Sequence, residues 1–191
     1  MTRDNVSIGR SAKAAGDNFE AWISTQHEIA ERLGILAHVE HNEPHARMIG
    51  GKLIYASPGV SDYTAVLDRD GRAVAIEAKS TYKDHLLKSA VEPKQQRHLE
   101  AVARAGGLAL LLIEFRRQQL PGVPIAICDR FAVPWLKIEW KVKRTAESVS
   151  MADLGEWKIV NDPGKCYLSK FHSHGPRSSA GSLRARVFPR E

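Results

Sequence analysis

The Asp70-Gly71 pair, set between two short β-favouring runs, constrains this chain more than any other feature. Tyr63-Thr64-Ala65-Val66-Leu67 and Ala73-Val74-Ala75-Ile76 flank the segment Asp68-Arg69-Asp70-Gly71-Arg72, and Asp-Gly is a dipeptide that tight hairpins favour. Two antiparallel strands joined at that point are expected. With Asp70 and Gly71 as the loop residues, Arg69 pairs with Arg72, Thr64 stands opposite Glu77 and Asp62 opposite Lys79. Cross-strand partners share a face, as do residues two apart on one strand. Asp62, Glu77 and Lys79 therefore converge on one side, with the two carboxylates as diagonal neighbours. An odd change in loop length without a bulge would send Asp62 to the other face.

Two carboxylates held within a few ångströms repel unless a cation sits between them, and hard oxygen donors suit Mg²⁺, with Mn²⁺ as a substitute. Such an ion polarises a phosphodiester and activates water, while an ammonium such as that of Lys79 neutralises developing charge. The bland alternative is that Asp62 ends a strand while Glu77 and Lys79 decorate its polar face. An acid followed later by acid-any-lysine is a common spacing, so the pattern is weak by itself.

Its context is more specific. Gly16-Asp17-Asn18-Phe19-Glu20 on a helix is followed by Pro58-Gly59-Val60-Ser61-Asp62-Tyr63, then by Glu77-Ala78-Lys79-Ser80-Thr81 and Gln95-Gln96-Arg97-His98-Leu99. Gly106-Gly107 then leads into an apolar run, and Phe131-Ala132-Val133-Pro134-Trp135 closes the series. This succession, over about residues 7 to 140, resembles the RecU-type Holliday junction resolvases of the PD-(D/E)XK nuclease superfamily. The resemblance implies that Asp62 and Glu77 are metal ligands, that Lys79 is the catalytic lysine, and that Glu20 completes the metal site from the first helix. Phe19, Trp22, Ile23, Ala30 and Leu33 form an apolar stripe on that helix, with Glu20 on its flank. Without the resemblance, Glu20 reads as an ordinary acid near a helix start. Gln95 matches the family's glutamine after the lysine strand. It reads either as a hydrogen-bonding group near the active site or as a satisfied core amide. Thr81 matches a family threonine that touches phosphate or caps the following segment.

The chain departs from the RecU group at His41 to Tyr55, where relatives carry a longer insertion that enters the junction. His45, Arg47, Met48, Ile49, Gly50, Gly51, Lys52 and Leu53 read as a short projecting hairpin turning at the paired glycines, able to wedge into branched DNA through Arg47 and Lys52.

Composition suits a polyanionic partner: 28 Lys and Arg against 22 Asp and Glu give a formal charge of +6. Basic clusters lie at Arg116-Arg117, at Lys137 to Arg144 with Trp135 and Trp140 interleaved, and from Lys165 onward, where six basic residues face one acid. A single nuclease domain over residues 1–174 and a basic, flexible tail over 175–191 are expected. The tail either embraces DNA or keeps the chain soluble. Met1 to Ala15 is too polar for a signal peptide, and the longest apolar run, Leu108 to Phe115, is too short to cross a bilayer. Cys128 and Cys166 lack metal-binding spacing, and His38 and His41 fall on opposite faces of a strand. A cytoplasmic protein with reduced thiols is expected.

The expected layout is a helix (14–33), a strand (35–41), the hairpin (41–55), two catalytic strands (62–68 and 72–79), a helix (92–105) and strands at 108–115 and 123–128. This is an α/β fold, a mixed central sheet flanked by helices with a restriction-endonuclease-like core. The function expected is metal-dependent cleavage of four-way DNA junctions by a symmetric homodimer, leaving 5′-phosphate nicks. A restriction-type or repair endonuclease on duplex DNA, and a non-catalytic DNA-structure-binding protein, are the alternatives.

Overall fold

The structure is a computed structural model, which describes residues 3–42, 46–49, 52–55, 60–116, 128–143, 145–160, 162 and 165–172. Helix α1 (Arg3–Arg32) is followed by strand β1 (Leu36–His41) and by β2 (Ala46–Ile49) and β3 (Lys52–Tyr55). Strands β4 (Tyr63–Leu67) and β5 (Ala73–Thr81) precede the short β6 (His85–Leu87), helix α2 (Pro93–Arg104) and strands β7 (Leu108–Arg116) and β8 (Cys128–Pro134). Short strands β9 (Lys141–Lys143) and β10 (Ala146–Ser150) and a final turn of helix, α3 (Ser169–His172), complete the order.

The central sheet runs β1-β4-β5-β7-β8, with β5 and β7 parallel and the other neighbours antiparallel. The crossover between the parallel strands is made by α2, as such a connection requires. Alternation along the strands splits the core. Val74, Ile76, Leu110 and Leu112 face α1 and pack on Phe19, Ile23 and Ala30. Ala75, Ala109, Leu111 and Ile113 face α2 and pack on Leu99. The sheet is thus an α/β layer covered by helices on both faces, as expected. β7 reads as a continuous apolar run because both of its faces are buried.

Local chemistry explains the element ends. Pro93 opens α2, where a missing N–H costs nothing, and Glu92 with Gln95 closes a capping box there. Gly107 approaches so closely that an added Cβ would lie 2.7 Å from Val102 and 2.8 Å from the Ala73 carbonyl. The paired glycines therefore permit the tight passage from α2 into β7. Among the described residues no helix is long and apolar enough to cross a membrane.

Several expectations are corrected. α1 begins at Arg3 rather than near residue 14, and it ends before Leu33, which is 50% exposed in the following turn instead of extending the apolar stripe. The expected strand at 123–128 falls on residues outside those described except for Cys128. The partner of β7 is β8, which begins there. The 175–191 tail also lies outside the described residues. The hairpin at 41–55 does form, as a separate two-stranded sheet that pairs Met48 with Leu53 and Ile49 with Lys52.

The β4–β5 register differs from the one counted in the sequence. Tyr63 pairs with Ile76, Thr64 with Ala75 and Val66 with Ala73. Leu67 donates its N–H to the Arg72 carbonyl at 3.0 Å, so the turn contains four residues, Asp68 to Gly71, and not two. Asp70 accepts the Arg72 amide hydrogen, and Gly71 takes a φ of 68°, which a residue with a Cβ rarely adopts. Thr64 accordingly faces Ala75 rather than Glu77. The slip is two residues, an even number, so every side chain keeps its expected face.

Candidate active site

β5 carries Glu77 and Lys79 on the face that also bears Ala75, towards α2. Asp62 precedes Tyr63, whose ring joins the α1-side core, so Asp62 projects to the α2 side. Continuing the observed register by one step sets Asp62 directly beside Glu77 rather than diagonal to it. Its carboxylate oxygen Oδ2 accepts the Ala78 amide hydrogen at 2.8 Å.

Glu77 is fully buried, and the Lys79 ammonium donates to its Oε1. Leu111 stands beside it on β7, and Gln95 and Leu99 are buried on α2, which covers this face. That burial, and then the Asp62 charge, pushes the Glu77 carboxyl up to about 7, against the opposing pull of Lys79. Glu77 Oε2 is buried without a hydrogen-bond partner. With both acids ionised this oxygen has nothing to bond. A proton shared with Asp62, or a cation between the two, would satisfy it. The donor set is two carboxylates, which suits a hard divalent ion that retains most of its waters. Among the described residues no group of three or more His, Cys, Asp and Glu is arranged to hold a metal.

The face on which the pair sits is half covered. α2 buries Ala75 and Leu111, whereas His38, Glu40, Val66 and Ala73 on the β1–β4 side are exposed. The acids and the lysine lie along that boundary, with Lys79 partly exposed.

The other expected residues fare differently. Glu20 is exposed on α1, a helix that packs on the opposite face of the sheet through Phe19 and Ile23, and it is not drawn into a cluster with Asp62 and Glu77. The physical reason lies in the helix period: one position, about 100° of rotation, separates Glu20 from the buried Phe19. Gln95 is buried on the correct face, and its side-chain oxygen accepts the Glu92 amide hydrogen at 2.9 Å, a capping bond. Thr81 Oγ1 accepts the Lys83 amide hydrogen at 3.1 Å and so turns the chain after β5.

Arg116 is corrected from a DNA-facing residue to a buried one, only 6% exposed and ion-paired with Glu114. Glu114 also binds Arg130 at 2.8 Å, and the Arg130 guanidinium lies 4.4 Å from the Trp22 ring centroid. Arg117 lies outside the described residues. Arg47 and Lys52 fall on β2 and β3, whose backbone alone is described. Trp135, expected to interleave with an exposed basic cluster, is buried instead, and Lys141 is paired with Asp153.

One contributor escaped the sequence reading. Asn42, just after β1, donates from its backbone to the Asp62 carbonyl at 2.8 Å and from Nδ2 to the Ser61 carbonyl at 3.0 Å. These contacts span 19 or 20 positions and carry no periodic signal.

Fold and site together define a mixed α/β protein in which a buried glutamate, Glu77, on the central strand of the sheet stands beside the half-buried Asp62 and Lys79. The family model described as "RecU: Recombination protein U" matches residues 37–131, which bears out the resemblance to the RecU family over that segment, the stretch that holds Asp62, Glu77, Lys79 and Gln95. Among solved structures the chain is similar to Hjc from Archaeoglobus fulgidus, described as a Holliday junction resolvase from an archaeal hyperthermophile. The identity is 15%, with 60% of this chain and 75% of that chain covered and a TM-score of 0.32. The comparison with curated proteins gives no match.

Proposed function

We propose that this protein is a metal-dependent endonuclease that resolves four-way DNA junctions. The observation that carries the reading is the unsatisfied buried oxygen of Glu77 beside Asp62, with the Lys79 ammonium held against the same carboxylate. Asp62 and Glu77 hold the divalent ion, Mg²⁺ with Mn²⁺ as substitute. When bound, that ion supplies charge neutralisation at a phosphate and lowers the pKa of water. Lys79, oriented by Glu77, stabilises the charge that develops on the phosphate. The open β1–β4 side of the sheet face leaves room for a DNA backbone next to the acids.

Junction selectivity is assigned to the β2–β3 hairpin, which carries Arg47 and Lys52, and to pairing of two copies, since a two-fold junction needs opposed nicks. The products are 5′-phosphate nicks. The test is incubation with a synthetic mobile junction and Mg²⁺, with and without chelator, read on a denaturing gel. Paired nicks that vanish with chelator are expected. Equal cleavage of linear duplex would sink the junction claim.

A further inference from the structure

Asp62 lies just outside β4, in a bend rather than in the ladder, so sheet pairing alone does not fix its carboxylate. Two consecutive residues from the end of β1 grip the segment from opposite faces. His41 lies flat on the Tyr63 ring, with centroids 4.5 Å apart and planes 15° apart. Asn42 makes three contacts: its N–H to the Asp62 carbonyl, its Nδ2 to the Ser61 carbonyl, and the same Nδ2 to Thr64 Oγ1 at 3.5 Å. Continuing the His41–Tyr63 register places Asn42 opposite Asp62, on the face of Glu77 and Lys79.

The position of Asn42 in the chain adds to this. The polypeptide leaves the sheet after Asn42 to form β2 and β3, and it re-enters through Ser61 and Asp62. Asn42 therefore ties together the two ends of the segment that carries the hairpin. An asparagine amide offers two donors and no charge. It can hold two acceptors beside a carboxylate pair without adding a third negative group.

We infer that Asn42 is a positioning residue whose side-chain amide latches the neck of the β2–β3 hairpin to Ser61 and Thr64, on either side of Asp62, so that the seating of the hairpin and the placement of the metal-binding carboxylate are set by the same hydrogen bonds. The role of Asp62 in this statement rests on the function proposed above; the latch itself is a property of the metal-free protein.

The reporter is the Ala78 amide, which is bonded to the Asp62 carboxylate. In EDTA, Asn42→Ala should speed hydrogen exchange at Ala78, measured by NMR, at least about tenfold, while the Leu111 amide at the sheet centre keeps its wild-type rate. Starting from Asp62→Ala, where the reporter bond is already gone, adding Asn42→Ala should change Ala78 exchange less than about twofold. Mn²⁺ affinity of the DNA-free protein, followed by electron paramagnetic resonance, should weaken about tenfold in Asn42→Ala, as for other groups that orient metal ligands. Should Asn42→Ala fail to fold, Asn42→Ser, which keeps one donor, should give an intermediate rate at Ala78. Wild-type exchange at Ala78 in either variant, or an equal acceleration with and without Asp62, overturns the latch. Wild-type protein that binds no Mn²⁺ overturns the metal reading instead, while the exchange data still decide the latch.

Discussion

The carboxylate of Asp62 accepts the amide hydrogen of Ala78, the residue between Glu77 and Lys79, at 2.8 Å. One side chain thereby fixes the spacing of the whole acidic and basic set to the backbone. Asparagine at position 62 can accept the same bond through its amide oxygen, yet it carries no charge for a cation. Asp62→Asn should therefore fold with a melting temperature close to wild type and bind junction DNA within about twofold. Its nicking rate should fall by about a thousandfold, as for loss of a group that stabilises transition-state charge. Undiminished nicking on a denaturing gel would remove Asp62 from the site.

Glu77 makes metal-free protein pH-sensitive. Its folded-state pKa, about 7, lies above the ordinary 4.5 because burial and Asp62 disfavour the charge. A raised acid contributes stability that is fully present below the unfolded value, and that contribution is lost as pH rises through the folded one. In EDTA the melting temperature of wild type, relative to Glu77→Gln, should thus decline between pH 5 and pH 8. Mg²⁺ should restore it, with the largest effect at the alkaline end, where the carboxylate is free to bind. A flat difference across that range would mean that Glu77 ionises normally.

The sequence showed the outline of this site because strand parity survives errors of even size. The turn proved to be four residues long and the register slipped by two, yet Asp62, Glu77 and Lys79 stayed on one face. Helix α2 was also legible, expected at 92–105 and found at Pro93–Arg104. Two kinds of information were not. A basic residue at a strand end looks the same whether it meets DNA or a buried acid, and Arg116 is paired through Glu114, which the sequence presents merely as one polar position within an apolar run. Likewise, the tie from Asn42 to Ser61 depends on where a hairpin leaves and rejoins the sheet, which no local pattern records.

Arg116 should accordingly matter for folding more than for DNA. Removing it leaves the buried Glu114 with Arg130 as its remaining ion-pair partner among the described residues. Arg116→Ala should cost about 3 kcal/mol in urea unfolding, the lower end for breaking a buried ion pair. The salt dependence of junction binding by the folded fraction should stay that of wild type. A reduced salt slope would show that Arg116 touches phosphate.

His27 gives the opposite pH signature to Glu77. Its ring is buried between Tyr167, whose hydroxyl lies 2.6 Å from Nε2, and Tyr63, whose ring centroid is 4.9 Å away. Burial, aided by the nearby His41, lowers its pKa to about 4. A depressed histidine contributes stability that is present above the unfolded value near 6.5 and lost as pH falls through the folded one. The shift corresponds to about 3 kcal/mol at full protonation. The contact it protects also matters, because Tyr167, Cys166 and Leu168 dock the last described segment onto α1 and β4. Acidification from pH 7 to pH 4 should therefore destabilise wild type more than His27→Gln, which cannot be protonated. The difference should be seen in urea midpoints, and equal acid sensitivity of the two proteins would assign the effect to other groups.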